Sequence, residues 1–173
     1  MSGPLHAATV GAYLQILPQV ALLVDKAEAH CRENGLPPQA LLEARLAPDM
    51  WTFAKQVMSE VQHSAGAVQA LRSGITGPDM SNPPGEFAAL RRAVDDAVAL
   101  LEGVQPGEVD AAANRDIRFE FGSGKMEFAG EDYLLSFAVP NFFFHATAAY
   151  AVLRNQGLPV GKRDFLGRTR LKG

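Results

Sequence analysis

The stretch GEDYLLSFAVPNFFFHATAAYAVLRNQG, from Gly130 to Gly157, constrains the fold of this chain more than any other segment. At about 100° per residue on a helix, Leu134, Ala138, Asn141, His145, Ala148 and Val152 fall within one narrow stripe. Such a stripe must be covered by other elements, so the segment demands a layered helical core around it. His145 and Asn141 then sit where aliphatic packing would serve. Each has to be hydrogen-bonded or ligated, because a buried polar group left unpaired costs roughly 1–3 kcal/mol. An interior polar site is implied before any chemistry is.

Three further segments supply the cover. The first runs from about Leu5 to Asn34, with Tyr13, Leu17, Val20, Val24 and Ala27 at helical spacing, and Gly35 and Pro37-Pro38 ending it. Pro18 lies inside this pattern and predicts a kink or a two-piece helix. The second begins near Pro48-Asp49, with Asp49 as the expected N-cap, and carries Met50, Phe53, Val57, Val61, Ala65, Val68 and Leu71 up to Gly74. A loop rich in Gly, Pro, Asp and Asn follows, Ser73 to Gly85, either an excursion beside a site or plain connection. The third helix spans about Pro84 to Gly103 on Phe87, Leu90, Val94, Val98 and Leu101. The period then changes from helical to twofold: Ile117, Phe119 and Phe121 alternate with Arg118 and Glu120, and Met126 and Phe128 with Lys125 and Glu127, across Gly122-Ser123-Gly124. That pattern is a β-hairpin at about 117–128, too small to persist unless it packs on a helix. The expected fold is all-α: four main helices in one domain over residues 1–173, with a small β-hairpin before the last helix.

Charge and cysteine usage narrow the partners. A net charge of −3 lacks the basic excess of a nucleic-acid binder. The basic residues near the end (Lys162, Arg163, Arg168, Arg170, Lys172) are interrupted by Asp164 and predict a solvated tail. Cys31 is the only cysteine, so no internal disulfide forms. No basic leader precedes an apolar run, and no segment is expected to provide the ~18 apolar residues of a membrane span. A cytoplasmic protein with no membrane partner is the expectation.

The candidate site starts from Asn141 and His145, four apart and therefore one turn apart on the same helix face. Paired metal ligands in helical bundles are presented at this spacing, and so are core residues tied to backbone carbonyls. Pro140 cannot donate to the carbonyl of Ser136, which predicts a local bend and a small gap beside the pair. On the second helix Gln56, Glu60 and His63 line one side and are the candidate partners. The expected ligand pocket is thus Gln56, Glu60, His63, Pro140, Asn141 and His145. Glu60 and His63 read equally well as a solvated face. Elsewhere, Gly161-Lys162 lacks the upstream glycine of a phosphate loop, and no serine or cysteine stands in a nucleophile motif.

The segments RLAPDMWTFAKQV (Arg45 to Val57), YLLSFAVPNFFFHATAAYAVLRNQG (Tyr133 to Gly157) and VGKRDFLG (Val160 to Gly167) resemble a family of bacterial proteins catalogued as a domain of unknown function. That family is grouped with the DinB/YfiT-like superfamily of metalloenzyme-like four-helix bundles. The resemblance covers essentially the whole chain and implies an up-down-down-up bundle and a homodimer. It also implies a metal site of three histidines, one on the second helix and two, four apart, on the last. His145 matches the second of that pair, Asn141 stands where the first falls, and Gln56 is the best match on the second helix. A metal, if held, would meet His145, Asn141 and Gln56, and amide oxygens are poor ligands for zinc or nickel beside imidazole. The expectation is therefore a pocket that binds a small molecule with no cofactor. The alternatives are a divalent-metal hydrolase or thiol transferase using zinc or nickel, and a structural dimer with no active site.

Overall fold

The computed structural model describes residues 3–172. Four long helices carry the chain: α2 (Val10–Glu33), α4 (Phe53–Ser73), α5 (Phe87–Glu102) and α8 (Val139–Asn155). Short ones lie between and around them: α1 (Pro4–Ala8), α3 (Gln39–Leu42), α6 (Pro106–Ala111), α7 (Gly130–Asp132) and α9 (Lys162–Leu166). Helix α4 packs on α8 and on α5, α2 packs on α5, and α2 touches α8 and α4 more lightly. These contacts bury an apolar core between the helices. Tyr13, Leu17, Val24, Phe53, Leu90, Val94, Phe142 and Leu153 are fully buried in it.

Three expectations need correction. The first helical segment breaks at Thr9, whose hydroxyl donates to Leu5 O at 2.7 Å, and not at Pro18, which lies inside an unbroken α2. Buried side chains before and after Pro18, among them Tyr13, Leu17, Val20 and Val24, outweigh the ~3 kcal/mol local cost of the proline. This same stretch, Pro4–Glu33, is long and apolar enough to cross a membrane, contrary to the sequence reading; here half of its most apolar window is buried in the core. Helix α4 starts later than expected: Thr52 is the N-cap, accepting from the Lys55 N–H at 3.3 Å, and Asp49 belongs to the loop before it. Gly74 ends that helix at φ 79°, a conformation glycine adopts without steric cost.

The fold is mostly helical, and the hairpin is part of a small three-stranded sheet. Strands β2 (Asp116–Phe121) and β3 (Gly124–Ala129) pair antiparallel, with Ile117 opposite Phe128 and Phe119 opposite Met126. Strand β1 (Ile75–Thr76) adds in parallel to β2. Ile117 and Phe119 point inward while Arg118 and Glu120 are exposed, which is the alternation the sequence shows. The basic residues of the C-terminal segment, Lys162, Arg163, Arg168, Arg170 and Lys172, are exposed as expected, although the segment is not free of the body. Helix α9 docks on α2 through the Lys26–Asp164 ion pair and a bond from Gln15 to Leu166 O, and Phe165 meets Tyr150 on α8 edge to face.

The last helical stretch opens with a wide π-turn, Tyr133–Ala138, before α8 begins. The Val139 N–H bonds to Leu134 O, five residues back, and the next residue is Pro140, which has no N–H to give. The expected disturbance at Pro140 thus takes the form of a π segment, a feature often found at functional sites.

Candidate functional site

Helix α4 positions the second half of the site, and its N-terminus fixes the first contact. Thr52 caps the helix and so holds Trp51 just outside its first turn. Gln56, one turn in, donates from Nε2 to Trp51 O at 3.3 Å, which turns its Oε1 toward His145. The His145 Nδ1 lies 2.7 Å from that oxygen. A carboxamide oxygen only accepts, so Nδ1 carries the proton and Nε2 keeps a lone pair. No protein hydrogen bond to Nε2 is formed among the described residues.

Aromatic rings surround this imidazole. Trp51 stacks on it with centroids 5.4 Å apart and planes 9° apart, and His63 stacks at 5.6 Å and 11°. Phe144 meets it edge-on at 5.2 Å, and Phe137 meets His63 the same way. Burial pushes the His145 pKa down from 6.5 to about 4. Burial does the same to His63, helped by the neighbouring His145, again to about 4. Both rings are neutral at neutral pH. His63 Nδ1 is buried with no partner.

Asn141 is half-buried beside them. Its Nδ2 donates to Phe137 O at 2.8 Å, in the π segment, which leaves Oδ1 as the free end of the amide. Two cavities meet at Trp51, Asn141 and His145. The outer one, about 360 Å³, is completed by Asp49, Met50, Gln56 and Phe144. The inner one, about 170 Å³, is bounded by His63, Ser59, Gln62, Phe119 and Phe137, and by Gly77, Pro78 and Asp79 of the loop after β1. Two side chains of α4 tie that loop down: Lys55 Nζ donates to Asp79 O and Ser81 O, and Gln62 Nε2 to Gly77 O. A larger depression of about 480 Å³ lies at the sheet near Ile75 and Arg118, but Arg118 is paired with Glu120 and the walls hold no buried polar side chain.

The structure therefore brings Gln56, His63, Asn141 and His145 together and leaves two expected pocket residues out. Pro140 is exposed and lines neither cavity. Glu60 is completely buried in α4, with neither carboxylate oxygen bonded, and it too lines neither cavity. Its burial raises the carboxyl pKa well above the ordinary value, so the group is held as the neutral acid. The sequence reading missed Trp51, Asp49 as a wall residue and Phe144; Gly77, Pro78 and Asp79 belong to the Ser73–Gly85 loop, for which it had left open an excursion beside a site. Trp51 had two signals: it is the only tryptophan and it lies in one of the segments that carry the family resemblance.

A three-histidine metal set does not fit these residues. The Gln56 oxygen is spent on His145, the Asn141 nitrogen on Phe137 O, and the two imidazoles lie face to face. Among the described residues no group of three or more His, Cys, Asp or Glu side chains converges as metal ligands. The donors that remain are the Asn141 oxygen and the nitrogens of two imidazoles stacked in parallel, whose in-plane lone pairs do not converge on one point as zinc or nickel requires.

The fold and site define a mostly helical protein with a polar pocket in the seam between its second and last long helices. The chain belongs to the family described as Domain of unknown function (DUF1993), which it matches over residues 5–166. Among solved structures it is similar to a DinB family member protein from Shewanella denitrificans, with a TM-score of 0.82 and 28% sequence identity, covering 98% of this chain and 95% of that one. No functionally curated protein matches it.

Proposed function

We propose that this chain is a four-helix bundle of DinB/YfiT type that binds a small organic molecule at His145 without a tightly held metal, and that it works as a homodimer. The observation that carries the binding reading is the set orientation of His145. Gln56 consumes one ring nitrogen, and the other is left as an unpaired acceptor where an outer and an inner cavity meet. The ring is only 6% exposed and its free nitrogen opens on the two cavities, where a ligand that donates to it can take the place of water. The homodimer reading rests on the resemblance to the DinB/YfiT-like superfamily.

The test is a thermal-shift screen of small molecules, with elemental analysis of the same preparation and light scattering for the dimer. The expected result is a compound that raises Tm with concentration, quenches Trp51 fluorescence and loses both effects in His145→Leu. Stoichiometric zinc or nickel that survives dialysis and vanishes in His145→Leu would overturn the reading. So would a screen in which no compound acts through His145. A monomer at micromolar concentration would remove the dimer alone.

A further inference from the structure

The pocket's donors and charges select one kind of ligand. Where the two cavities meet, the atoms offered are acceptors: Nε2 of the buried His145, and Oδ1 of Asn141 once its Nδ2 is spent on Phe137 O; the neutral His63 ring, deeper in the inner cavity, adds one acceptor and one N–H. Its charges are of one sign. Asp49 stands on the outer wall and Asp79 on the inner one, and no lysine or arginine lines either cavity. Lys55 stands beside the walls: its Nζ pairs with Asp79 Oδ2 at 3.8 Å, donates to Asp79 O and Ser81 O and lies 5.6 Å from the Trp51 ring centroid, which leaves Asp49 as the uncompensated charge of the pocket. Asp79 is held ionised by the Ser81 N–H and by Lys55, and the two histidines are neutral. The apolar walls are flat faces, Trp51 at 44% exposed and Phe144 at 57%. Indole and phenyl faces attract cations as well as planar rings.

From this juxtaposition, and resting on the small-molecule reading above, we propose that the ligand is a small planar organic cation bearing N–H donors, of the amidinium or protonated aminoheterocycle class. Its flat face lies against Trp51 and Phe144, and its N–H groups donate to His145 Nε2 and Asn141 Oδ1. Asp49, the carboxylate of the pocket with no cation beside it, supplies the field that prefers a positive charge and rejects a carboxylate. No bond is made or broken in this step; the ligand keeps its proton because an amidinium is a far weaker acid than a buried imidazolium.

Trp51, the only tryptophan in the chain, makes the pocket its own reporter. The probes are benzamidine, benzamide and benzoate, which share a ring and differ in charge and donors, titrated against the native protein while Trp51 fluorescence and calorimetry are followed. Benzamidine is expected to bind saturably, about tenfold or more tighter than benzamide, with no saturable signal from benzoate. Asn141→Leu is expected to weaken benzamidine about tenfold. Asp49→Asn, on an exposed loop residue that does not threaten folding, is expected to weaken benzamidine several-fold and leave benzamide unchanged. Benzoate or benzamide binding as tightly as benzamidine would overturn the proposal and leave the pocket reading standing. Failure of all three probes would also overturn it, and the broader screen then decides whether the pocket binds anything.

Discussion

Helices α5 and α4 pack against each other and spend their buried positions differently. Every buried residue of α5 is apolar: Phe87, Leu90, Val94, Ala97 and Leu101. Helix α4 buries Gln56, Ser59, Glu60 and Ser64 among its apolar residues. Both serine hydroxyls donate back to carbonyls four residues earlier, at 2.7 Å to Lys55 O and 2.6 Å to Glu60 O, so they are satisfied within the helix. Gln56 is satisfied by joining Trp51 to His145, and Glu60 is not satisfied at all. Helix α5 is thus built for packing, while α4 at its seam with α8 carries a group of polar side chains that packing does not need; α2 adds to these only the buried Tyr13 hydroxyl, which has no partner. Regions that keep such groups against their cost are where function is expected.

Truncation on the α5 side should give the largest effect. Leu90 is fully buried, so Leu90→Ala should cost about 2–5 kcal/mol in urea denaturation while leaving the native Trp51 fluorescence unchanged. A loss under about 1 kcal/mol would blur the distinction between the two sides.

The histidine pair should give the next largest. Both native pKa values lie near 4, below the 6.5 of the unfolded chain, so between those values the unfolded state binds more protons than the native one. Stability must then fall as pH drops from about 6.5 toward 4, by roughly 2–4 kcal/mol for the pair. His145→Leu should flatten this slope, measured as the difference from wild type at each pH. An equal slope in the two proteins would contradict a buried, neutral His145.

Glu60 works in the opposite direction and to a smaller extent. Its native pKa is raised above 4.5, so the folded protein holds a proton that the unfolded chain releases. Stability therefore declines as pH rises above about 4.5 and through the raised value. Glu60→Met should remove that decline and add about 1–3 kcal/mol near pH 8, since an apolar group of similar volume needs no partner there. Destabilisation by Glu60→Met would show that the carboxyl has a role in the core that its unbonded oxygens do not reveal.

The sequence disclosed the long helices because their apolar stripes repeat over several turns, and it disclosed the hairpin because alternation on both arms meets at a glycine turn. It did not disclose β1, where two residues carry no period, nor α9, whose five residues are held by contacts to α2 distant in sequence. Pro18 misled because a local cost was weighed without the packing on both sides of it. Asp49 misled because Asp and Thr are both good N-caps, and only the backbone showed that Thr52 does the capping. For the site, the position of His145 followed from its stripe. Gln56, Glu60 and His63 were expected on one side of α4; Gln56 and His63 do meet His145, whereas Glu60, between them in sequence, is buried in the core. Trp51 was invisible to periodicity, since it precedes the helix and reaches His145 only through the turn that Thr52 and Gln56 fix.

The central claim is that His145 is a neutral imidazole with its proton on Nδ1, held there by Gln56, and its Nε2 open to the pocket. Long-range proton–nitrogen NMR of the histidine rings between pH 7 and pH 4 reads both properties at once. The account predicts an Nδ1–H tautomer for His145 at pH 7 and a titration midpoint near 4. An Nε2–H tautomer, or a midpoint at the ordinary 6.5, would contradict it.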